Sequence, residues 1–250
     1  DLLKHNLDRR AERVRVFEIG RVFERDDKVV TTDTTVQGIH QPMRVAALSY
    51  GRTDATQWAI KDRPADFYDA KGDVEALLAP LRPTFEAAEH PAMHPGRSAR
   101  VLLAGKPIGF VGELHPRWRQ SYELPQAPLL FELDLDAVLA RELPVAQAIS
   151  KFQAVQRDLA LVLPESVPFD TVLAAVRSAP GAQGLLTDVL LFDVFRPSAQ
   201  IAGGLNVGEK SLALRLSLNS PDATLTEEQI EVAVKSVIDV TTERLGARLR

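Results

Sequence analysis

The last hundred residues carry an alternation that few folds accommodate. Residues 211–218, SLALRLSL, place Leu212, Leu214, Leu216 and Leu218 on one side of a strand. Ser211, Ala213, Arg215 and Ser217 fall on the other, because successive strand side chains point to opposite faces. Residues 156–163 (QRDLALVL) and 186–195 (LTDVLLFDVF) read as two more strands. Between these two, Phe169, Val172, Leu173 and Val176 form a helical stripe behind Pro168, a residue favoured in the first turn. Pro180 and Gly181 end that helix. Thr226 with Gln229 three residues on predicts a second helix through a capping box. Its buried face is Ile230, Val234, Val237, Ile238 and Leu245, and Gly246 closes it. Residues 247–250 suffice for a short last strand. The order is β-α-β-β-α-β, beginning near Lys151. Two helices cover one face of a four-stranded sheet. The other face shows the polar side of the third strand and, if Leu249 turns inward, Arg248 and Arg250. Ferredoxin-like and RNA-recognition modules share this layout and present the sheet to single-stranded RNA.

The preceding residues read differently. Residues 13–23 and 41–50 are strand candidates. Residues 66–81 carry Val74, Leu77, Leu78 and Leu81 at helical spacing, with Pro83 as the stop. Two β-rich runs flank Gly105-Lys106 and predict a hairpin. Residues 129–140 read as a strand entering a short helix. This irregular order predicts an α+β domain with a mainly antiparallel sheet. Residues 141–150 make the best linker, so domains are expected at 1–149 and 150–250.

Several functions are disfavoured. The chain has no cysteine, which removes disulfides, thiolate zinc sites and a cysteine nucleophile and fits a cytoplasmic protein. No apolar run reaches the length of a bilayer span, and residues 1–8 lack a signal peptide's apolar core. The text starts at Asp1 in mid-pattern, and its only methionines are Met43 and Met93. A piece of a longer chain is expected. Net charge is −4, and residues 151–250 hold ten basic and twelve acidic groups. Neither part is polybasic, so any RNA contact must be local. The candidates are Arg157, Phe195, Arg196, Lys210, Arg215, Arg248 and Arg250, clustered on strands and strand ends. For a single arginine, plain solvation is the default reading. Phe195 is a base-stacking candidate, and equally a core one.

Other motifs carry less. The stretch Gly203-Gly204-Leu-Asn-Val-Gly208-Glu209-Lys210-Ser211 nearly spells a phosphate-binding loop. Glu209 breaks the spacing, and the loop leads into a strand rather than a helix. His90 and His94 each precede a proline, so a turn role is expected for them, as for His115. Asp66, Asp69 and Asp73 suit the positive end of a helix, with a magnesium site as the alternative. No catalytic set emerges.

Taken together, KFQAVQRDLALVL, VPFDTVLAAVRS, LLTDVLLFDVF, EKSLALRLSLNSPDATLTEEQIEVAV and RLGARLR resemble the C-terminal anticodon-binding domain of bacterial phenylalanyl-tRNA synthetase beta subunits. RVFEIGRVF, PADFYDAKGDVEALL, HPGRSARVLLAGKPIGFVGELHP and LLFELDLDAVL resemble the catalytic-like domain of the same subunits. The resemblance implies a class II synthetase of two alpha and two beta chains that charges tRNA(Phe) with phenylalanine, using ATP and Mg2+. The active site then lies in the alpha chain. This part would hold no cofactor and no catalytic, editing or metal residue. Arg15 and Glu18 in RVFE resemble the arginine–glutamate strand of the class's second motif, and no glycine-rich third motif follows. The loop PSAQIAGGLNVGEK looks longer than the family's usual turn, which bears on Lys210. A protein-docking scaffold without RNA contact is the second reading, and a ferredoxin-like small-molecule sensor a third.

Overall fold

The structure is a computed structural model and describes residues 1–140, 143, 145–146, 149–197 and 204–250. Much of the expected 141–150 linker, and residues 198–203 of the long loop, lie outside the described residues. The chain divides into two compact units, Asp1–Leu143 and Pro144–Arg250. Both are mixed α+β with antiparallel sheets.

In the first unit the order is α1 (Leu2–Asp8), β1 (Arg13–Arg21), β2 (Glu24–Arg25), β3 (Ile39–His40), β4 (Met43–Gly51), α2 (Phe67–Leu78), β5 (Thr84–Ala87), β6 (Met93–Leu103), β7 (Lys106–Leu114), α3 (Pro116–Ser121), β8 (Leu129–Asp134) and α4 (Leu135–Leu139). Six strands form one sheet in the order β1-β4-β8-β7-β6-β5. Every neighbouring pair in it is antiparallel. Ala70, Val74 and Leu78 of α2 pack on Val45, Val101, Val111, Phe131 and Leu133. The alternate residues Val14 and Tyr50 pack with Leu3 and Leu124. The predicted hairpin turns at Ala104-Gly105, between β6 and β7. The helix expected to run to residue 81 stops at Leu78, because Pro80 forces its predecessor out of the helical region, and Ala79 has ψ 139°.

The start of α2 is fixed by charge. The Asp66 carboxylate accepts the Tyr68 and Asp69 amides, and the Asp69 carboxylate accepts the Asp66 amide. Two Arg63 guanidinium nitrogens also donate to Asp69, at 2.7 and 2.8 Å. This fork, chiefly, holds the Asp69 carboxyl below its ordinary pKa. A carboxyl lowered on folding contributes stability above its unfolded pKa, and that contribution is lost as pH falls through the folded value. Asp69→Asn is therefore expected to cost about 1 kcal/mol at pH 7. Denaturant titrations should show the gap closing as pH falls through the lowered pKa of the folded Asp69 carboxyl.

In the second unit the order is β9 (Val155–Pro164), α5 (Phe169–Arg177), a 3₁₀ turn (Pro180–Ala182), β10 (Leu186–Phe195), β11 (Glu209–Leu218), α6 (Glu227–Leu245) and β12 (Arg248–Leu249). The sheet order is β10-β11-β9-β12. All its pairs are antiparallel, which is the ferredoxin-like arrangement the alternation predicts. Leu212, Leu214, Leu216 and Leu218 are buried with Leu161 and Leu163 against Val172 and Val176 of α5 and Ile230, Ala233 and Val237 of α6. Thr226 and Gln229 form the capping box, and Gly246 closes α6 at φ 64°. Thr241 is fully buried in the stripe. It is satisfied there by donating to the Val237 carbonyl at 2.8 Å.

Candidate nucleic-acid interface

The helix-free face of the second sheet follows from strand register. On β11 it carries Ser211, Ala213, Arg215 and Ser217, opposite Val162, Ala160, Asp158 and Gln156 of β9. Beyond β9, Arg248 lies opposite Val162, and the Arg250 amide donates to the Ala160 carbonyl. On the far side, Asp188, Leu190, Asp193 and Phe195 of β10 lie opposite Ser217, Arg215, Ala213 and Ser211.

A register shift between Leu191 and Asp193 makes Phe192 the extra residue of a bulge. Strict alternation puts residues three apart on opposite faces. The bulge advances the strand by one residue, so Phe192 and Phe195 share the helix-free face. Each ring carries a guanidinium. Arg215 lies 5.3 Å from the Phe192 centroid, and Arg250 lies 4.9 Å from that of Phe195. Ser211 and Val162 sit between Phe195 and Arg250 in the strand order. They are 3% and 1% exposed.

The seven predicted residues divide. Arg215, Arg248, Arg250 and Phe195 come together on the helix-free face. Arg157 does not: it shares the phase of Leu159 and Leu161 and pairs with Glu227 at the start of α6, at 2.7 Å. Arg196, just past β10, pairs with Glu165 at 3.0 Å. Lys210 has the phase of Leu212 and is 7% exposed. Its ammonium donates to the carbonyls of Glu165 and Val167, at 2.8 and 2.7 Å, and so ties down the turn after β9.

The arginines on the face are themselves engaged. Arg215 forks onto the Asp158 carboxylate with both distances 2.8 Å. That hydrogen-bonded fork lowers the Asp158 pKa and raises that of Arg215. Arg248 donates to Glu209 at 2.7 Å. The Glu209 carboxyl is lowered first by the Asn206 amide and then by Arg248. Three arginines therefore share the face with Asp158, Asp188, Asp193 and Glu209, so it is no cationic platform. Sequence reasoning passed over Phe192 and Asp158, and weighed Glu209 only against a phosphate-binding loop. The signal for Phe192 was two phenylalanines three apart in one strand, which only a bulge can bring to one side.

In the first unit a cleft of about 790 Å³ is lined by Phe67, Tyr68, Phe85, Arg97, Glu113 and Arg119, among others. Arg97 is paired to Glu113 at 2.7 Å. Arg119 donates to the carbonyls of Leu124 and Pro125. Arg15 and Glu18 lie on opposite faces of β1, being three apart. Arg15 is tied to Ser49, Asp73 and the Thr53 carbonyl. His90, His94 and His115 each accept a backbone amide two residues ahead. No cluster of three metal-ligating side chains occurs among the described residues. No helix among them is long and apolar enough to cross a membrane.

Comparison with known proteins gives these faces a context. The profile described as "Phenylalanyl tRNA synthetase beta chain CLM domain" matches residues 1–135. "Ferredoxin-fold anticodon binding domain" matches residues 150–250. Proteins named phenylalanine–tRNA ligase beta subunit from Cupriavidus pinatubonensis and Ralstonia nicotianae are 49% and 48% identical. Each covers 100% of this chain and 31% of its own length. That of Chromobacterium violaceum is 44% identical over 100% of this chain and 30% of its own. The chain thus spans under a third of the length of these curated relatives.

Proposed function

The chain belongs to the phenylalanyl-tRNA synthetase beta-chain family, and from that premise we propose that it binds the anticodon region of tRNA(Phe) with the helix-free face of its second sheet. The whole enzyme would charge tRNA(Phe) with phenylalanine in the cytoplasm, as two alpha and two beta chains, with ATP and Mg2+ used in the alpha chain. Residues 1–149 would be an inactive class II catalytic-like domain that supports assembly with alpha. The Arg15 geometry supports inactivity there, since its guanidinium is held by Ser49, Asp73 and Thr53.

One observation carries the RNA reading. The helix-free face combines two phenyl rings with planar guanidinium groups, where a purely structural sheet would be covered or uniformly polar. Unpaired RNA bases are recognised by such stacking surfaces. Arg215, Arg248, Arg250 and Phe195 belong to the proposed contact set. Arg157, Arg196 and Lys210 lie off that face, and the proposal does not rest on them.

The test is titration of the chain with tRNA(Phe) and, separately, with the alpha chain. Arg215→Ala combined with Arg248→Ala is expected to weaken tRNA binding about tenfold or more, equal to two modest contacts. Unchanged affinity would remove this face from the interface. Binding of alpha with no binding of tRNA at any salt concentration would favour the scaffold reading, which the self-neutralised arginines support.

A further inference from the structure

Within the helix-free face, one group of side chains has a chemistry more specific than general RNA attraction. Arg215 lies between a carboxylate and a ring. Its Nε and Nη2 edge is closed by Asp158, directly opposite in the antiparallel register. That edge is the fork an arginine uses on a phosphate. Its guanidinium carbon lies over the Phe192 ring, 5.3 Å from the centroid. What the guanidinium still offers is a planar, weakly hydrated surface. Leu190, the other strand neighbour of Arg215, is 51% exposed, and Phe192 is 49% exposed. In the next row of the face the methyl groups of Ala213 and Ala160 form the middle of the floor, with Asp193 at one end and Arg250 at the other. A flat apolar ring fits there; a phosphate would meet Asp158, with Asp188 and Asp193 on the neighbouring strand.

We propose that Phe192, Arg215 and Asp158 form a seat for one unpaired nucleobase, in which Asp158 is a positioning residue that holds the guanidinium flat for stacking and keeps phosphate off it. This rests on the RNA-binding reading above. It goes beyond it by assigning Arg215 to a base rather than to the backbone, and by making an acidic residue favourable to RNA binding. Stacking of this kind is tolerant of base identity, because every base has a π-face. The seat therefore fixes the position of one loop nucleotide without reading which base it is.

The two roles of Arg215 give opposite results for Asp158→Asn. A phosphate contact freed from its counter-charge binds more tightly and adds about one to the salt slope. A stacking guanidinium freed from its fork loses its orientation and binds more weakly, with the slope unchanged. The experiment uses the full chain and an RNA stem-loop bearing the phenylalanine anticodon, titrated at several salt concentrations. Phe192→Leu is expected to weaken binding about tenfold at constant slope, and Phe192→Tyr to restore it. Replacing the loop bases one at a time by abasic sites should reveal one position that matters to the unaltered chain and no longer matters to Phe192→Leu. Circular dichroism of each variant checks folding, which these exposed substitutions should leave intact. Tighter binding and a steeper slope in Asp158→Asn would overturn the seat while leaving the RNA reading standing, as would an unaffected Phe192→Leu. Absence of binding by the unaltered chain would overturn both.

Discussion

Lys210→Met is expected to destabilise the second unit by about 3 kcal/mol, since a hydrogen bond to a charged group contributes roughly 1.5–3 kcal/mol. The ammonium belongs to the second residue of β11 and donates to the Glu165 and Val167 carbonyls. Methionine keeps the apolar stem and removes both donors, leaving two carbonyls of the β9–α5 turn to find water at a site 7% exposed in the native chain. Amide hydrogen exchange in β9, β11 and α5 is the direct measure, because it isolates this unit in a two-unit chain where one global unfolding free energy is not well defined. Protection should fall across all three elements together. RNA affinity of the folded protein, measured at low temperature, should stay within about twofold, and the salt slope should not change. A phosphate-binding lysine would give the reverse: intact protection, weaker binding and a slope reduced by about one.

Gly51→Ala should have an effect of similar size in the first unit. Gly51 ends β4 opposite Arg13, where β1 begins. Its φ is +85°, and an added Cβ would lie 2.0 Å from the Glu12 carbonyl oxygen. That oxygen belongs to backbone just before β1, so relief requires moving the strand itself. Strain in the left-handed region costs 1–3 kcal/mol alone, and the overlap adds to it. A loss of about 3 kcal/mol or more follows, or roughly 10 °C in the melting temperature for a unit of this size. Gly105→Ala is the control. It has φ +76° with nothing within 4 Å of its Cβ, so only the conformational cost of about 1 kcal/mol remains. Equal losses in the two variants would show that the Glu12 contact relaxes freely.

The residues differ in how much of this was legible. The leucine alternation of β11 and the Thr226–Gln229 cap are local features, and they gave the ferredoxin-like unit almost residue by residue. The same alternation assigns Arg157 and Lys210 to the face of the core leucines, a distinction that grouping basic residues by strand overlooks. The end of α2 was misplaced because Pro83 was weighed over Pro80, though the earlier proline already bars helix at Ala79. The pairing of Asp158 with Arg215 was not legible. The two are 57 positions apart, and their meeting depends on the register between β9 and β11, set by burial of one leucine face against both helices. The bulge at Phe192 was hidden for a similar reason, because an extra residue on one strand is defined only against its partner.

That bulge gives β10 an unusual sensitivity to chain length. From Asp188 to Phe192 its even-numbered residues face away from the helices; from Asp193 onward the odd-numbered ones do. Deleting a single residue at this point does not simply shorten the strand. It acts as a frameshift in space: either Val194 and Phe195 exchange sides, turning the ring from the exposed face toward the helices, or Phe192 itself leaves the face. Natural variation in this strand should therefore run to substitution rather than to gain or loss of a residue, even though the segment is largely exposed and the loop that follows it is long.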